Sequence, residues 1–298
     1  MTLQQLRYVT MVAETGTITE AANRLYISQP SLTNAIHELE KEMNIVIFNR
    51  TNKDISLSRE GEDFLGYARQ ILEQAAILED KYKGNGGGKK QYCVSTQHYS
   101  FAVNAFVDLI KEYGQDEYDF SLRETQTYEI IEDVARLRSE IGILFLNDFN
   151  EAVINKILKS YDLEFHQLYV AKPHVFISRK HPLAGKDRII NEELEEYPYL
   201  SFEQGEHNSF YFSEEVFAAV ERKKNIRVRD RATLFNLLIG LNGYTVCSGV
   251  IDKKLNGKDI IAVPLADEND MRIGYITHRK GMLSRLGNTY LEAIKKYL

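Results

Sequence analysis

The 298-residue sequence holds only two cysteines, Cys93 and Cys247, far apart and in no CxxC spacing. That excludes a disulfide framework and a multi-cysteine zinc site, and it suits a reducing compartment. Long apolar runs are missing too. The longest, such as 260–266, fall far short of the roughly 18 residues that read as a membrane span. The first residues lack a basic stretch followed by an apolar one, so no signal peptide is read. The expectation is a soluble, cytoplasmic protein without membrane contact. Positive charge is not in excess either: Lys and Arg total 37 against 43 Asp and Glu, a net charge of −6. This argues against coating nucleic acid by bulk charge. Residues 1–90 carry 11 basic and 12 acidic side chains, so any DNA contact there must come from a locally arranged surface. Catalytic signatures are lacking as well, with no GxSxG elbow, no HExxH and no GxGxxG after a strand. The seven histidines are scattered, and neither an enzyme, a cofactor nor a metal is expected.

What is present is an ordinary globular composition, 44% hydrophobic and 27% charged, long enough to bury a core without staples. The length suggests two domains or one large one. The clearest break is 84–90, where four glycines within 84–88 cannot hold a helix at reasonable cost. A phosphate loop is excluded there, because Gly88-Lys89 is followed by Lys90 and no strand precedes it. The segment reads as a hinge.

Before the hinge the pattern is helical. Thr2 caps a helix with an apolar face of Leu3, Leu6, Val9, Val12 and Ala13, which Gly16 ends. Thr17 or Thr19 caps a short second helix with Ala21, Ala22 and Leu25, and Tyr26-Ile27 make a tight turn. Ser28 caps a third helix with Pro30 in its first turn. Segments 45–49 and 55–57 flank Thr51-Asn52-Lys53-Asp54 as a small hairpin. From Arg59 a long helix runs to about Lys83, and Phe64, Ala68, Ile71, Ala75 and Leu78 form a heptad seam along it. The seam reads as a dimer contact; the alternative is packing on its own domain.

After the hinge, strands alternate with helices, which predicts an α/β domain. Strands are read at 92–95, 120–123 and 141–146, with helices at 101–113 and 128–137. A second set has strands near 168–171, 174–178, 199–202, 226–229 and 244–247, with helices near 210–224 and 234–241.

Two short helices joined by a turn form a helix-turn-helix, whose second helix can enter the major groove. Its outward surface is read as Ser28, Gln29, Pro30, Ser31, Thr33, Asn34 and His37, opposite an inward stripe of Leu32, Ile36 and Leu39. Gln29 and Asn34 are amides able to pair with adenine, and the hydroxyls can reach bases or phosphates. Arg50 and Lys53 on the hairpin are read as phosphate contacts of a wing.

Leu3-Gln4-Gln5-Leu6-Arg7-Tyr8, Ala21-Ala22, Ser28-Gln29-Pro30-Ser31-Leu32, Leu39-Glu40, Phe48-Asn49-Arg50 and Leu57-Ser58-x-x-Gly61 resemble the winged helix-turn-helix of LysR-type transcriptional regulators. The resemblance is dense over about the first 65 residues and thinner beyond, where His181-Pro182-Leu183-Ala184 is similar to a short motif of that family. It implies an α+β multidomain chain. A winged helix-turn-helix would span 1–58, a linker helix 59–83, a hinge 84–90 and an effector domain 91–298. The effector domain would be like a periplasmic solute-binding protein, with one half at about 91–168 and 268–298 and the other at about 169–267. The implied partners are double-stranded operator DNA, a second copy or a tetramer of this chain, a small-molecule effector and RNA polymerase. The function implied is control of transcription by a metabolite. The alternatives are a metabolite-binding enzyme with an N-terminal helical dimerisation domain, and a sequence-nonspecific architectural DNA protein.

For the effector, Thr96, Gln97, His98, Tyr99 and Ser100 join the first strand of the α/β domain to its first helix. Unpaired N–H groups and the helix dipole there suit an anion such as a carboxylate, with Thr96 as a direct donor. Ordinary helix capping is the alternative. Thr125 and Gln126 occupy a similar strand-to-helix position, and Ser201, Phe202 and Thr233 would close over the ligand from the other half. Thr233 otherwise serves as a cap of its own helix. His98 is read as a wall residue, and Cys93 as buried and inert.

Overall fold

The computed structural model describes the chain except residues 51–54, 84–89, 114–116, 252–256, 268 and 280; the side chains of Arg50, Glu73, Ile77, Asp80 and 81–83 also lie outside the described set. The chain divides into two compact units, Met1–Gly88 and Lys89–Leu298.

In the first unit, helix α1 (Leu3–Thr15) opens on a reciprocal cap. The Gln5 N–H donates to Thr2 Oγ1 at 3.2 Å, and the Thr2 N–H donates to Gln5 Oε1 at 2.9 Å. It closes at Gly16 with φ +71°, the left-handed conformation that glycine adopts without strain. Thr17, not Thr19, caps α2 (Ile18–Arg24), and Tyr26 turns the chain with φ +55°. Helix α3 (Gln29–Met43) follows, capped by Ser28, whose Oγ accepts from the Ser31 N–H at 3.2 Å. The expected hairpin forms from β1 (Phe48–Arg50) and β2 (Ile55–Leu57), antiparallel with Phe48 opposite Leu57. Its first strand begins three residues later than the pattern suggested. Asn44 ends α3 in the left-handed conformation, and the Ile45 N–H still bonds back to the Glu40 carbonyl.

Helix α4 spans Arg59–Lys83. Ser58 precedes it as read, its Oγ accepting from the Gly61 N–H at 2.8 Å and donating to the Val46 carbonyl. Gly61 is where α4 meets the segment leading into β1: a Cβ there would lie 2.0 Å from the Ile47 carbonyl oxygen. Val9, Val12, Ala21, Leu32, Ile36, Leu39, Ile47, Phe48 and Leu65 form one buried cluster.

The second unit carries two five-stranded sheets. The first has the order β4-β3-β5-β12-β6, built from β3 (Lys90–Thr96), β4 (Tyr118–Glu124), β5 (Ile141–Leu146), β6 (Leu163–Ala171) and β12 (Met271–His278). The second has the order β11-β7-β10-β8-β9, from β7 (His174–Ser178), β8 (Tyr199–Phe202), β9 (Asn225–Val228), β10 (Tyr244–Cys247) and β11 (Ile260–Pro264). Helices α5 (Ser100–Tyr113), α6 (Thr127–Ala135) and α7 (Glu151–Ser160) belong to the first half, and α8 (Arg231–Leu241) to the second. The final helix, α9 (Arg285–Ile294), returns to pack on α5, with the buried Tyr290 hydroxyl donating to the Ala102 carbonyl at 3.0 Å.

The chain therefore passes from one half to the other after Ala171 and returns between Pro264 and Met271. The first crossing is three residues later than the boundary read at 168, because β6 pairs along its whole length with β12. Lys90, read as hinge, is the first residue of β3, and the rest of that hinge lies outside the described residues.

One expected element is absent. Segment 210–224 contains only a short 3-10 turn, Phe210–Phe212. Successive residues of a helix project about 100° apart, yet Glu214 and Glu215 are both buried and both bind backbone N–H groups of other segments. Phe217 then takes φ +67°, which a helix excludes. Helix α7, strands β11 and β12 and helix α9 have no counterpart in the sequence reading.

Candidate DNA-reading face and ligand cleft

On α3, Leu32, Ile36 and Leu39 are buried, and Ser28, Gln29, Pro30, Ser31, Asn34 and His37 are exposed on the opposite side. Thr33 is half-buried. The first turn of α3 thus presents hydroxyl and amide groups to solvent, engaged only locally: the Ser28 and Ser31 hydroxyls bond each other at 2.7 Å, and Thr19 Oγ1 lies 3.4 Å from Gln29 Oε1. Tyr26, in the turn before α3, is 96% exposed and extends this surface.

Arg50 lies on β1 with its side chain outside the described set, and Lys53 lies outside the described residues. What fixes the hairpin against α3 is a residue whose role the sequence reading missed. Glu40 Oε1 accepts from the Ile47 N–H at 2.9 Å and the Phe48 N–H at 3.1 Å, tying the strand to the last turn of α3. The signal available was an acid at the inner edge of an apolar stripe, next to Leu39.

The proposed seam on α4 divides. Phe64 packs on the core of its own unit and Ala68 is buried in it, because this end of α4 lies along α1. Ala68 is thereby corrected from a partner contact to intradomain packing, whereas Phe64 is half-buried and keeps part of its ring at the surface. Farther along, Ile71 and Leu78 are exposed and Ala75 is half-buried.

In the second unit, the loop from β3 to α5 faces the other half, but not as an open anion site. Thr96 is fully buried, and its hydroxyl donates to the Gln97 carbonyl at 2.7 Å, so it is not available as a ligand donor. Gln97 is a core fastener. Its Nε2 donates to Thr127 Oγ1 at 2.6 Å, and its Oε1 accepts from the Phe145 N–H at 3.1 Å and the Tyr99 hydroxyl at 3.0 Å.

The donor that an anion would use, the His98 N–H, already binds Glu214 Oε2 at 2.9 Å. The His98 ring also meets Glu214, with Nδ1 at 2.9 Å from Oε2, and stacks on Phe202 at 3.7 Å between centroids. Burial pulls the imidazole pKa down, but the charge and hydrogen bond of Glu214 offset this, and the net shift is upward. The neighbouring loop repeats the arrangement: the Thr127 N–H at the start of α6 donates to Gln204 Oε1 at 3.1 Å. Both loops of the first half are therefore capped by side chains from the irregular segment between β8 and β9. The expected anion site is occupied by the protein's own acceptors.

Behind His98 lies a cavity of about 50 Å³ lined by Tyr99, Ser100, Phe176, Phe202, Glu214, Glu215 and Phe235, among others. In front lies an open cavity of about 500 Å³, lined by Thr125, Gln126, Glu124, Glu129, Glu203, Glu206 and Arg229 among others; His98 borders both. Of the residues read as effector contacts, His98, Tyr99, Ser100 and Phe202 line the inner cavity, and Thr125 and Gln126 line the outer one. Thr96, Gln97, Ser201 and Thr233 line neither. Thr233 is exposed, its N–H and hydroxyl both donating to Asp230, the cap of α8.

Arg231 at the start of α8 crosses to pair with Glu124 at the end of β4. Glu215 accepts from the Phe202 N–H at 2.8 Å, and burial, with the Glu214 charge, raises its pKa to about 8. Glu214 and Glu215 fall in 210–224, where the sequence pattern suggests a helix; the signal of their burial is a pair of acids enclosed by Phe212, Val216 and Phe217.

His181, from the short motif noted in the sequence, proves structural. Its Nδ1 accepts from the Leu183 N–H and its Nε2 donates to the Asn242 carbonyl, both at 3.1 Å, pinning the turn after β7 to the end of α8. Among the described residues no group of three or more His, Cys, Asp or Glu could hold a metal ion, and no helix is long and apolar enough to cross a membrane.

Comparison with known proteins places both units. A model described as bacterial regulatory helix-turn-helix protein, lysR family, matches residues 3–62, and a LysR substrate binding domain model matches residues 93–298. A "Probable RuBisCO transcriptional regulator" of Phaeodactylum tricornutum is 29% identical over 67% of this chain, which spans 64% of that relative's length. The RuBisCO operon transcriptional regulator of Allochromatium vinosum is 25% identical over 94% of this chain and 91% of its own. A full-length OxyR variant from Pseudomonas aeruginosa shares the fold, with a TM-score of 0.71 at 20% identity, covering 99% of this chain and 95% of that one.

Proposed function

Because the chain belongs to the LysR family of bacterial helix-turn-helix regulators, we propose that it regulates transcription by binding an operator, under control of a small molecule held in the cleft of its second unit. The observation that carries the DNA half of this reading is the first turn of α3, where exposed Ser28, Gln29, Ser31 and Asn34 stand opposite the buried Leu32, Ile36 and Leu39. A helix anchored by one face and polar on the other, with its N-terminal residues outward, has the geometry of a major-groove reader. The wing held by Glu40 supplies flanking phosphate contacts through Arg50 and Lys53. A near-neutral unit depends on this fitted surface for affinity, so binding is sequence-specific and requires two half-sites. The exposed Ile71 and Leu78 of α4 join two copies, as a dimer or as part of a tetramer. RNA polymerase is the downstream partner and the reaction class is binding without chemistry, in the cytoplasm.

For the effector half, the support is the cleft itself: two halves joined by two strand-to-strand crossings and bridged by side chains from the segment between β8 and β9. A ligand that displaces or reinforces the Glu214 and Gln204 bridges changes the relation of the halves and so biases a two-state equilibrium.

The test is selection of genomic fragments by the purified protein, followed by gel-shift titration on the enriched site. Gln29→Ala should lower specific affinity by about 1–3 kcal/mol and leave nonspecific binding nearly intact. An unchanged specificity ratio removes Gln29 from the reading surface.

A further inference from the structure

The inner cavity holds a buried carboxyl group with one oxygen left without a hydrogen bond. Two cationic side chains also line this cavity, and each already has its own acid: His98 meets Glu214, and Arg231 reaches outward to pair with Glu124. Glu215 is 4% exposed; its Oε1 accepts from the Phe202 N–H, and its Oε2 has no hydrogen-bond partner among the described residues. A buried polar atom without a partner costs on the order of 1–3 kcal/mol, so it is a position where a ligand gains. The surrounding walls include Phe176, Phe202 and Phe235.

The outer cavity adds charge of the same sign. Glu203 is paired with Arg229 and Glu132 with Arg136, but Glu129 and Glu206 have no cation within salt-bridge distance among the described residues. An anion entering here meets like charge on the way in, and the His98 and Thr127 N–H donors it would need are already taken by Glu214 and Gln204. Like charges in a buried site disfavour each other strongly.

We infer that the cleft takes a small organic cation, with an ammonium or guanidinium head seated against Glu215 and Glu214 and the rest of the molecule extending past His98 into the outer cavity. This deepens the reading of the cleft as the effector site and rests on it. A cavity of about 50 Å³ holds a head group of a few heavy atoms, since one water needs about 10–15 Å³ on the same measure. The aromatic walls suit the flanking methylenes and attract a cation over their faces. Neutral Glu215 and the ammonium ion give a carboxylate–ammonium pair and one proton released to solvent, because burial and Glu214 keep Glu215 protonated near neutral pH in the unliganded protein. A neutral or anionic ligand releases no proton there.

The experiment is calorimetric titration of the full chain at pH 7 with butane-1,4-diammonium, and with butane-1,4-diol and butanedioate as length-matched probes, in two buffers of different ionisation enthalpy. The expected result is binding of the diammonium with net proton release, and binding of the other two at least about tenfold weaker, the loss expected of one charged hydrogen bond. Glu215→Gln keeps an acceptor for the Phe202 N–H and should weaken the diammonium by about tenfold and abolish proton release. Glu206→Gln, at the exposed rim, leaves the fold intact and should weaken it measurably at low salt only. Butanedioate binding as tightly as the diammonium, or no diammonium binding, overturns the cation assignment. If butanedioate binding then changes in Glu215→Gln, the cleft survives as the effector site with the opposite charge preference. Diammonium binding indifferent to both variants places the ligand elsewhere and removes the effector reading with it.

Discussion

Glu40 offers the sharpest test of how the DNA-binding unit is held together. Its carboxylate accepts two backbone N–H groups, from Ile47 at 2.9 Å and Phe48 at 3.1 Å, and both of those residues are buried. Glu40→Ala removes the acceptor and leaves two donors with no partner in reach of water. A hydrogen bond to a charged group nets about 1.5–3 kcal/mol, and each buried donor left unpaired costs about 1–3 kcal/mol. For two donors, with partial relaxation of the strand, the loss is about 2–5 kcal/mol, a large share of the stability of a domain this size. At roughly 4–8 °C per kcal/mol the unit should melt at least about 10 °C lower. Hydrogen exchange of the full chain reads the mechanism directly. The Ile47 and Phe48 amides should be among the slowest of the unit in the parent protein and exchange much faster in Glu40→Ala. Glu40→Gln, which keeps a carbonyl acceptor, should restore most of the protection. Unchanged exchange at these two amides in Glu40→Ala would refute the anchoring role, whatever happened to the melting temperature.

Three further outcomes follow from the same geometry. Gly61→Ala places a Cβ 2.0 Å from the Ile47 carbonyl oxygen, and because that neighbour is backbone the strand must shift; a loss of about 1–3 kcal/mol by urea unfolding is expected, and a neutral substitution would mean the helix and hairpin slide freely. Ile71→Asp puts a charge on the exposed part of α4 and should yield monomers in sedimentation, whereas an intact, DNA-competent dimer would show that this face is not the joint. The stability of the second unit should fall with rising pH. Glu215 binds its proton more tightly folded than unfolded, so its contribution is lost from about pH 4.5 up to about 8. His98, also raised, contributes fully below its ordinary 6.5 and loses that contribution as pH climbs through its higher folded value. Glu215→Gln should flatten the profile on urea denaturation at fixed pH, and a stability that rises over this range would contradict both assignments.

The DNA-binding unit was legible from sequence because its determinants are short-range. Thr2, Thr17 and Ser28 each bond an N–H three residues on, Gly16 ends a helix by its own φ, and Leu32, Ile36 and Leu39 fall on one face by helical spacing alone. The strands 141–146, 174–178, 199–202 and 244–247 were likewise visible as apolar runs bounded by polar residues. What pattern could not supply was anything decided by residues distant in the chain. The order of the first sheet depends on β12 entering between β5 and β6 from the far end of the sequence. The half of the α4 stripe that turns inward depends on where α1 lies. Above all, the unpaired N–H of His98 marks an anion site by local rules, and only folding brings in a carboxylate from 116 residues away to fill it. Periodicity and capping report the few residues that share a turn. The charge of the cleft is set by which distant side chains lose their water together, and for Glu214 and Glu215 that is a property of the tertiary structure alone.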